Sequence, residues 1–178
     1  MPAPIVTYYE DDSTQATKLD FGTVDAGTDT KTALKRLYIW NNKAGGSAVS
    51  NMQSAKLSIV DKSGNKAGTA YQHGWVYAKT NDTGDSDVTT NATHLGKVDA
   101  SVIPGNTIYT TADATEQTID LSAANGTSGT GIIEGGTNGG ASATDTANYC
   151  KVAFYVNIEA NAPAGQHEFK LRTSYSYT

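Results

Sequence analysis

The sequence is short of cysteine, of basic charge and of long apolar runs, and each shortage excludes a class of protein. Its one cysteine, Cys150, cannot form an internal disulfide, so the chain is not a disulfide-stapled domain. Thirteen basic residues against eighteen acidic ones give a formal net charge of −5, whereas nucleic-acid binding requires a basic face. No apolar run reaches the length of a membrane-spanning helix. The sequence therefore predicts neither a nucleic acid nor a membrane as a partner.

Motifs for catalysis and for cofactor binding are also missing. The three histidines, His73, His94 and His167, lie far apart and match no metal-ligand spacing. No nucleophile elbow is present, and the glycine-rich stretches precede no helix that could cradle a phosphate. We therefore expect a protein that is not an enzyme and has no cofactor. Because Cys150 lies inside an apolar run, we expect it to be a buried structural thiol.

One acidic loop is a weak candidate for a calcium site. The stretch "NDTGDSD" places Asp82, Asp85 and Asp87 within six positions, and clustered carboxylates can hold calcium. The spacing lacks the final glutamate of a helix-loop-helix calcium loop. A solvated acidic loop is the alternative interpretation.

What the sequence does contain is alternation of apolar and polar side chains, the pattern of half-buried strands. Leu37 and Ile39 fall on one face of "ALKRLYIWNN", and Val152, Phe154 and Val156 fall on one face of "CKVAFYVNIEA". Turn signals such as Asn41-Asn42 and Pro163 to Gly165 separate these runs. Roughly seven to nine short strands with turns between them predict a single all-β sandwich over residues 1–178.

Two parts of the chain do not fit this strand pattern. Residues 1–18 are interpreted as an N-terminal arm, and residues 80–148 as an elaborated loop or arm region. The glycine-rich residues 125–148 offer only Ile132 and Ile133 for burial, so we expect a long exposed loop or arm there. Deleting residues 126–140 is accordingly predicted to leave the isolated domain folded but to weaken its assembly with other subunits. Merely mobile loops are the alternative interpretation of both segments.

The stretch "LDFGTVDAGTDTKTALKRLYIWNN" resembles immunoglobulin-like modules in virion proteins of tailed bacteriophages, and modules of the ASPM-SPD-2-Hydin class. The start, "PAPIVTYYEDD", the middle strand "GWVYAK" and the end, "NAPAGQHEFKLRTSYSYT", are similar to the same phage proteins. The resemblance covers both ends of the chain and is weak over residues 80–148. It implies an immunoglobulin-like antiparallel β-sandwich and carries over no catalytic residues.

The same resemblance implies a structural role in a virion. The expected function is a capsid decoration protein, made in the host cytoplasm without a signal peptide, that binds the major capsid protein or other virion subunits as a homo-oligomer, a trimer being one arrangement. A tail or baseplate component, and a carbohydrate-binding or adhesive module with exposed Trp40, Trp75 or tyrosines, are the alternatives. The candidate interface residues, in the two expected arms, are Pro4, Ile5, Tyr8, Tyr9, Ile132 and Ile133.

Overall fold

The computed structural model describes residues 1–26 and 31–178. Among them, no helix has the length and hydropathy needed to cross a membrane. Besides a short 3-10 turn at Ala100–Val102, the elements are β1 Val6–Tyr9, β2 Lys35–Asn41, β3 Gln53–Asp61, α1 Thr69–Gln72, β4 Val76–Thr80, α2 Asp85–Asn91, β5 Thr93–His94, β6 Ile119–Asp120, β7 Tyr149–Val156 and β8 Phe169–Ser176.

The strands form two antiparallel sheets. The larger sheet has the order β1-β2-β7-β4-β5, and the smaller one has the order β6-β3-β8. The side chains that alternate inward from β2, β3 and β7 form the shared core, which contains Leu37, Ile39, Leu57, Ile59, Cys150, Val152 and Phe154, none more than 2% exposed. The prediction of an all-β antiparallel sandwich is confirmed, and the buried faces of β2 and β7 are the ones that the alternation indicated.

The glycine-rich segment packs on the sandwich, so the expectation of an exposed arm is wrong there. Ile133 is fully buried, and its backbone exchanges two hydrogen bonds with Met52, of 2.9 and 3.2 Å. A Cβ on Gly135 would lie 2.4 Å from the carbonyl oxygen of Val49, so the close contact requires glycine. The glycines here allow the backbone to approach the sheet rather than to leave it.

The start of the chain is also part of the sheet. β1 pairs with β2 from Val6↔Asn41 to Tyr9↔Tyr38, and the Pro2 carbonyl accepts a 2.8 Å hydrogen bond from Ser50. The expectation of an arm over residues 1–18 is therefore wrong for residues 2–9, because backbone pairing fixes them.

The "FGTVDAG" stretch is not a strand where the structure describes it. Leu19 and Phe21 are half-buried and Asp20 is exposed, as the alternation predicts, but residues 19–25 have no strand pairing. The end of this stretch, Gly27, and the residues up to Thr30 lie outside the described residues.

The acidic stretch after β4 contains a helix that the strand pattern did not predict. α2 begins at Asp85, and Asp85 and Asp87 lie in its first turn, where negative charge favours the helix dipole. Val88, fully buried, fixes the helix against Ala153 and Tyr155.

Candidate interaction surfaces

The two ends of the chain meet at Ser50. The backbone N–H of Ser50 donates to the Pro2 carbonyl, and its hydroxyl donates a 2.8 Å hydrogen bond to the Thr178 carbonyl. Asn41 extends this junction, because its amide group accepts from Ile5 N–H and donates to the Ser50 carbonyl. Residues 1–5 and 176–178 therefore lie side by side at one end of the sandwich.

The exposed large apolar side chains of the described residues belong to the two chain ends that meet at this junction. They are Met1, Ile5 and Tyr177, which are 82%, 53% and 51% exposed. We call these three residues the Ser50 patch. Exposed apolar residues scattered singly are ordinary, but a local group of them indicates a contact surface. The patch can bind a partner through apolar contact and contains no acid-base chemistry.

A second surface follows the seam between the two sheets, where the edge strands β1 and β8 face each other. The hydroxyls of Tyr8 and Thr173 are 2.7 Å apart and link the edges. Burial raises the pKa of Tyr8, although the hydrogen bond to Thr173 lowers it, so the phenol is neutral at physiological pH. Past this hydrogen bond, toward the start of β8, the edges of the two sheets separate.

The opening is a cleft of about 1030 Å³ between residues 16–24 and the first half of β8. We call it the edge cleft. Leu19 and Phe21 form one wall, and Phe169 and Leu171 form the other, with Trp75 at the floor. The rings of Phe21 and Phe169 stack at 6.1 Å between their centroids. The edge cleft is thus lined by these apolar side chains together with charged ones, among them Lys18, Asp20, Lys62, Glu168 and Lys170.

His73 and His167 come together around Trp75, which their spacing did not indicate. The rings of His73 and His167 lie 5.1 and 5.0 Å from the ring of Trp75. Glu159, with 1% of its side chain exposed, binds the Nδ1 atom of His73 and the indole N–H of Trp75. Both carboxylate oxygens of this buried acid are therefore used inside the cluster.

His94 belongs to a neighbouring group of residues whose hydrogen bonds connect loops. Its Nε2 atom is 2.7 Å from Asp113, whose carboxylate also accepts from the backbone N–H of Val98. The hydroxyl of Tyr109 donates to the Gly74 carbonyl, and burial raises the pKa of Tyr109 far above its usual value. These contacts fix the loops rather than present a reactive group to a substrate.

The three acidic candidates for calcium do not form a common ligand set. Asp82 and Asp85 both bind the guanidinium of Arg36, at 2.9 and 2.6 Å, and Lys151 lies 3.3 Å from Asp82. Asp87 instead accepts from the backbone N–H of Thr83 and from the side chain of Asn91. Within residues 1–26 and 31–178, no group of three or more His, Cys, Asp or Glu side chains could hold a metal ion. Asp82 and Asp85 are paired with cationic side chains, so the three carboxylates do not converge as the calcium interpretation requires.

Cys150 is a buried thiol, as the sequence predicts. It is fully buried, and burial raises its pKa to about 12. A thiol with so little thiolate at neutral pH is a poor nucleophile and a poor metal ligand.

The tryptophans do not provide a sugar-binding platform. Trp40 is fully buried and Trp75 is 2% exposed. The ammonium of Lys43 lies 4.2 Å from the Trp40 ring centroid and 4.7 Å from that of Tyr9, so it covers both rings. The feature that would have favoured the carbohydrate-binding alternative is therefore contradicted for both tryptophans.

The predicted interface residues differ in their exposure to solvent. Ile5 is exposed in the Ser50 patch, whereas Pro4 and Ile133 are buried and cannot contact a partner. Tyr8, Tyr9 and Ile132 are half-buried, Tyr8 at the seam and Tyr9 beneath Lys43. Tyr177 is one of the tyrosines that the sequence offered as exposed surface aromatics, whereas the open edge of β8 was not predicted, since the order of strands cannot be read from alternation.

Comparisons with protein-family models, with curated proteins and with solved structures find no match for this chain.

Proposed function

We propose that this chain is a structural protein of a tailed-bacteriophage virion, with an immunoglobulin-like sandwich that decorates the outside of the capsid. The resemblance of "LDFGTVDAGTDTKTALKRLYIWNN" and "NAPAGQHEFKLRTSYSYT" to virion modules supports the proposal. So does the negative net charge, which disfavours contact with the packaged nucleic acid.

The observation that carries the proposal is the Ser50 patch. The exposed large apolar side chains among the described residues belong to the two chain ends that meet at Ser50, and exposed apolar side chains of this kind favour contact with another protein. Tyrosine is also among the residues enriched at protein interfaces. We infer that the patch contacts the major capsid protein or a neighbouring copy, in an assembly for which a trimer is one arrangement. The role is binding, not catalysis.

Capsid binding tests this proposal directly. Particles of the phage that encodes the chain, produced without it, are incubated with purified protein, and bound copies are counted after sedimentation. We expect saturation at a fixed number of copies per capsid. The double substitution I5S/Y177S should weaken binding by about tenfold, because it removes apolar contact area.

The control is T111S, a conservative change at an exposed residue away from the patch, and it should bind like the wild type. Failure to bind any particle, or undiminished binding by I5S/Y177S, would contradict the proposal. Saturable binding to tails alone, seen by electron microscopy of labelled protein, would instead establish the tail or baseplate alternative.

A further inference from the structure

We propose that the edge cleft accepts an extended segment of another protein, which adds to β8 as a further strand and carries apolar and acidic residues in alternation. This site is separate from the Ser50 patch, and the proposal does not require the partner to be a virion subunit.

The first argument is the backbone of β8. β8 pairs with β3 from Lys56↔Ser174 to Asp61↔Phe169 and is the last strand of its sheet. In an antiparallel pair, every second residue directs its N–H and C=O groups away from the partner strand. No backbone of residues 1–26 or 31–178 pairs with that outer side of β8. The first half of this edge, before Thr173 and its hydrogen bond to Tyr8, is thus available for strand addition.

The second argument is the space beside this edge. The inward side chains of β8, Phe169 and Leu171, are only half-buried, because the cleft lies beside them. Residues 17–26, which cross the seam on the other side of the cleft, form no backbone–backbone hydrogen bond with any other described residue. An added strand that displaces the Phe21–Phe169 stack could therefore insert apolar side chains between Leu19 and Leu171 without breaking existing backbone pairs.

The third argument is charge. The outward face of β8 carries Lys170 and Arg172, both exposed, and no acidic side chain of the described residues lies within salt-bridge distance of either. An added strand would place its own outward residues opposite or diagonal to these cations. Acidic residues would be attracted there. The β8 strand of a second copy would present the same two cations and be repelled, so charge favours a different, acidic partner.

The chain itself shows the preferred chemistry of the cleft. In the sequence Leu19-Asp20-Phe21, the two apolar side chains are half-buried along the cleft while Asp20 is exposed, 3.8 Å from Lys18. The wall of the cleft opposite β8 therefore already carries an apolar, an acidic and an apolar residue in that order. A partner strand with the same order satisfies both the cleft and the cations.

The test uses a fluorescein-labelled peptide, Leu-Asp-Phe-Asp-Val-Asp-Leu, and the whole chain. Its control is a peptide of the same composition in blocks, Leu-Phe-Val-Leu-Asp-Asp-Asp, which has equal charge but cannot present two distinct faces. We expect saturable binding of the alternating peptide, measured by fluorescence anisotropy, and affinity weaker by about tenfold for the block peptide. Amide hydrogen exchange of the complex should show new protection in alternate residues of β8.

A charge reversal identifies the site. K170E/R172E should weaken binding of the alternating peptide by about tenfold, whereas T111E, which adds negative charge at an exposed residue outside β3 and β8, should change the affinity by less than about twofold. Circular dichroism confirms that both variants fold.

Three results would overturn the proposal: equal binding of both peptides or of neither, unchanged affinity of K170E/R172E, or full protection of β8 amides in the free protein. A wild-type dimer that blocks peptide binding would show that a second copy occupies the edge, which also contradicts it. The experiment needs no capsid, so its outcome is independent of the capsid-binding test.

Discussion

The guanidinium of Arg36, on β2, donates a 2.9 Å hydrogen bond to the carboxylate of Asp82, whose side chain is only 2% exposed. Asp82 follows β4, so the contact fixes the start of the acidic stretch to the large sheet. Replacing Asp82 by alanine leaves Arg36 and Lys151 without their buried partner. We expect D82A to lower the free energy of unfolding by roughly 1.5–3 kcal/mol, measured by urea denaturation.

The control for this prediction is Asp85, which binds the same guanidinium but has 76% of its side chain exposed. Exposed ion pairs contribute little because water screens them, so D85N should cost less than about 1 kcal/mol. Equal losses from D82A and D85N would show that burial does not distinguish the two carboxylates.

From the Asp82 carboxylate we also predict how the stability of the fold depends on pH. Burial alone would raise the pKa of Asp82, but the hydrogen bond from Arg36 and the charge of Lys151 outweigh it and lower the pKa. Because the folded-state pKa lies below the unfolded value of about 3.9, the carboxylate stabilises the fold fully above that value. This contribution is lost as the pH falls through the unfolded and then the folded pKa.

The measurement is the difference in unfolding free energy between wild type and D82N, followed from pH 7 downward. The other carboxylates titrate in both proteins and largely cancel. We expect the difference to be constant above about pH 5 and to shrink progressively below about pH 4. A difference that grows on acidification would mean that the pKa of Asp82 is raised in the folded state.

The glycine-rich segment yields a third prediction, and it reverses the one made from composition. Ile133 is fully buried in the core, whereas the adjacent Ile132 is half-buried. We expect I133A to cost roughly 2–5 kcal/mol, since it leaves a cavity, and I132A to cost clearly less. Deleting residues 126–140 should prevent folding, as seen by loss of a cooperative thermal transition. A folded deletion variant would restore the interpretation of this segment as an arm.

The alternation of apolar and polar residues predicted the strands in which one face is more buried than the other. It predicted little of the remaining structure. Leu37 and Ile39 could be assigned to the core because a strand places every second side chain on one face. Ile133 could not, because its burial depends on pairing with Met52, 81 positions earlier in the chain, inside a stretch whose composition suggests no structure. The segment containing Leu19 and Phe21 has the right alternation but no strand pairing in the structure, so periodicity indicated its buried face and not its backbone partner.

The surfaces were less predictable than the core. Ile5 was identified as a contact residue, but Tyr177 joins it only because Ser50 binds both chain ends. Likewise, His73 and His167 both pack on Trp75 although 94 positions separate them. Such contacts arise from the order of strands in the two sheets, and a local pattern carries no information about that order.

Cys150 gives a fourth prediction. The thiol is fully buried and its pKa is raised to about 12, so very little thiolate exists at pH 7. We expect its reaction with a disulfide reagent such as dithionitrobenzoate to be undetectable in the native protein over minutes and complete in guanidinium chloride. Rapid reaction of the native protein would show that the sheet opens near β7 and would also make the thiol accessible for oxidation.

The last prediction concerns Glu159, which is hydrogen-bonded to the Nδ1 atom of His73 and accepts from the indole N–H of Trp75. An ionised carboxylate can only accept, and the hydrogen bond between the two side chains then requires a proton on Nδ1 of His73. Glutamine at this position has one accepting oxygen and one donating amide. It can keep Trp75 satisfied only if its amide donates to His73, which then must shift its proton to Nε2. E159A offers no replacement and leaves the indole N–H buried without a partner.

We therefore expect E159A to cost roughly 1.5–3 kcal/mol and E159Q to cost less. Nitrogen-15 NMR of labelled histidine should show the Nδ1-protonated form in the wild type and the Nε2-protonated form in E159Q. If E159Q destabilises the protein as much as E159A and His73 keeps its proton on Nδ1, then the imidazole is held by contacts other than Glu159. The cluster would in that case depend on ring packing against Trp75 rather than on the buried carboxylate.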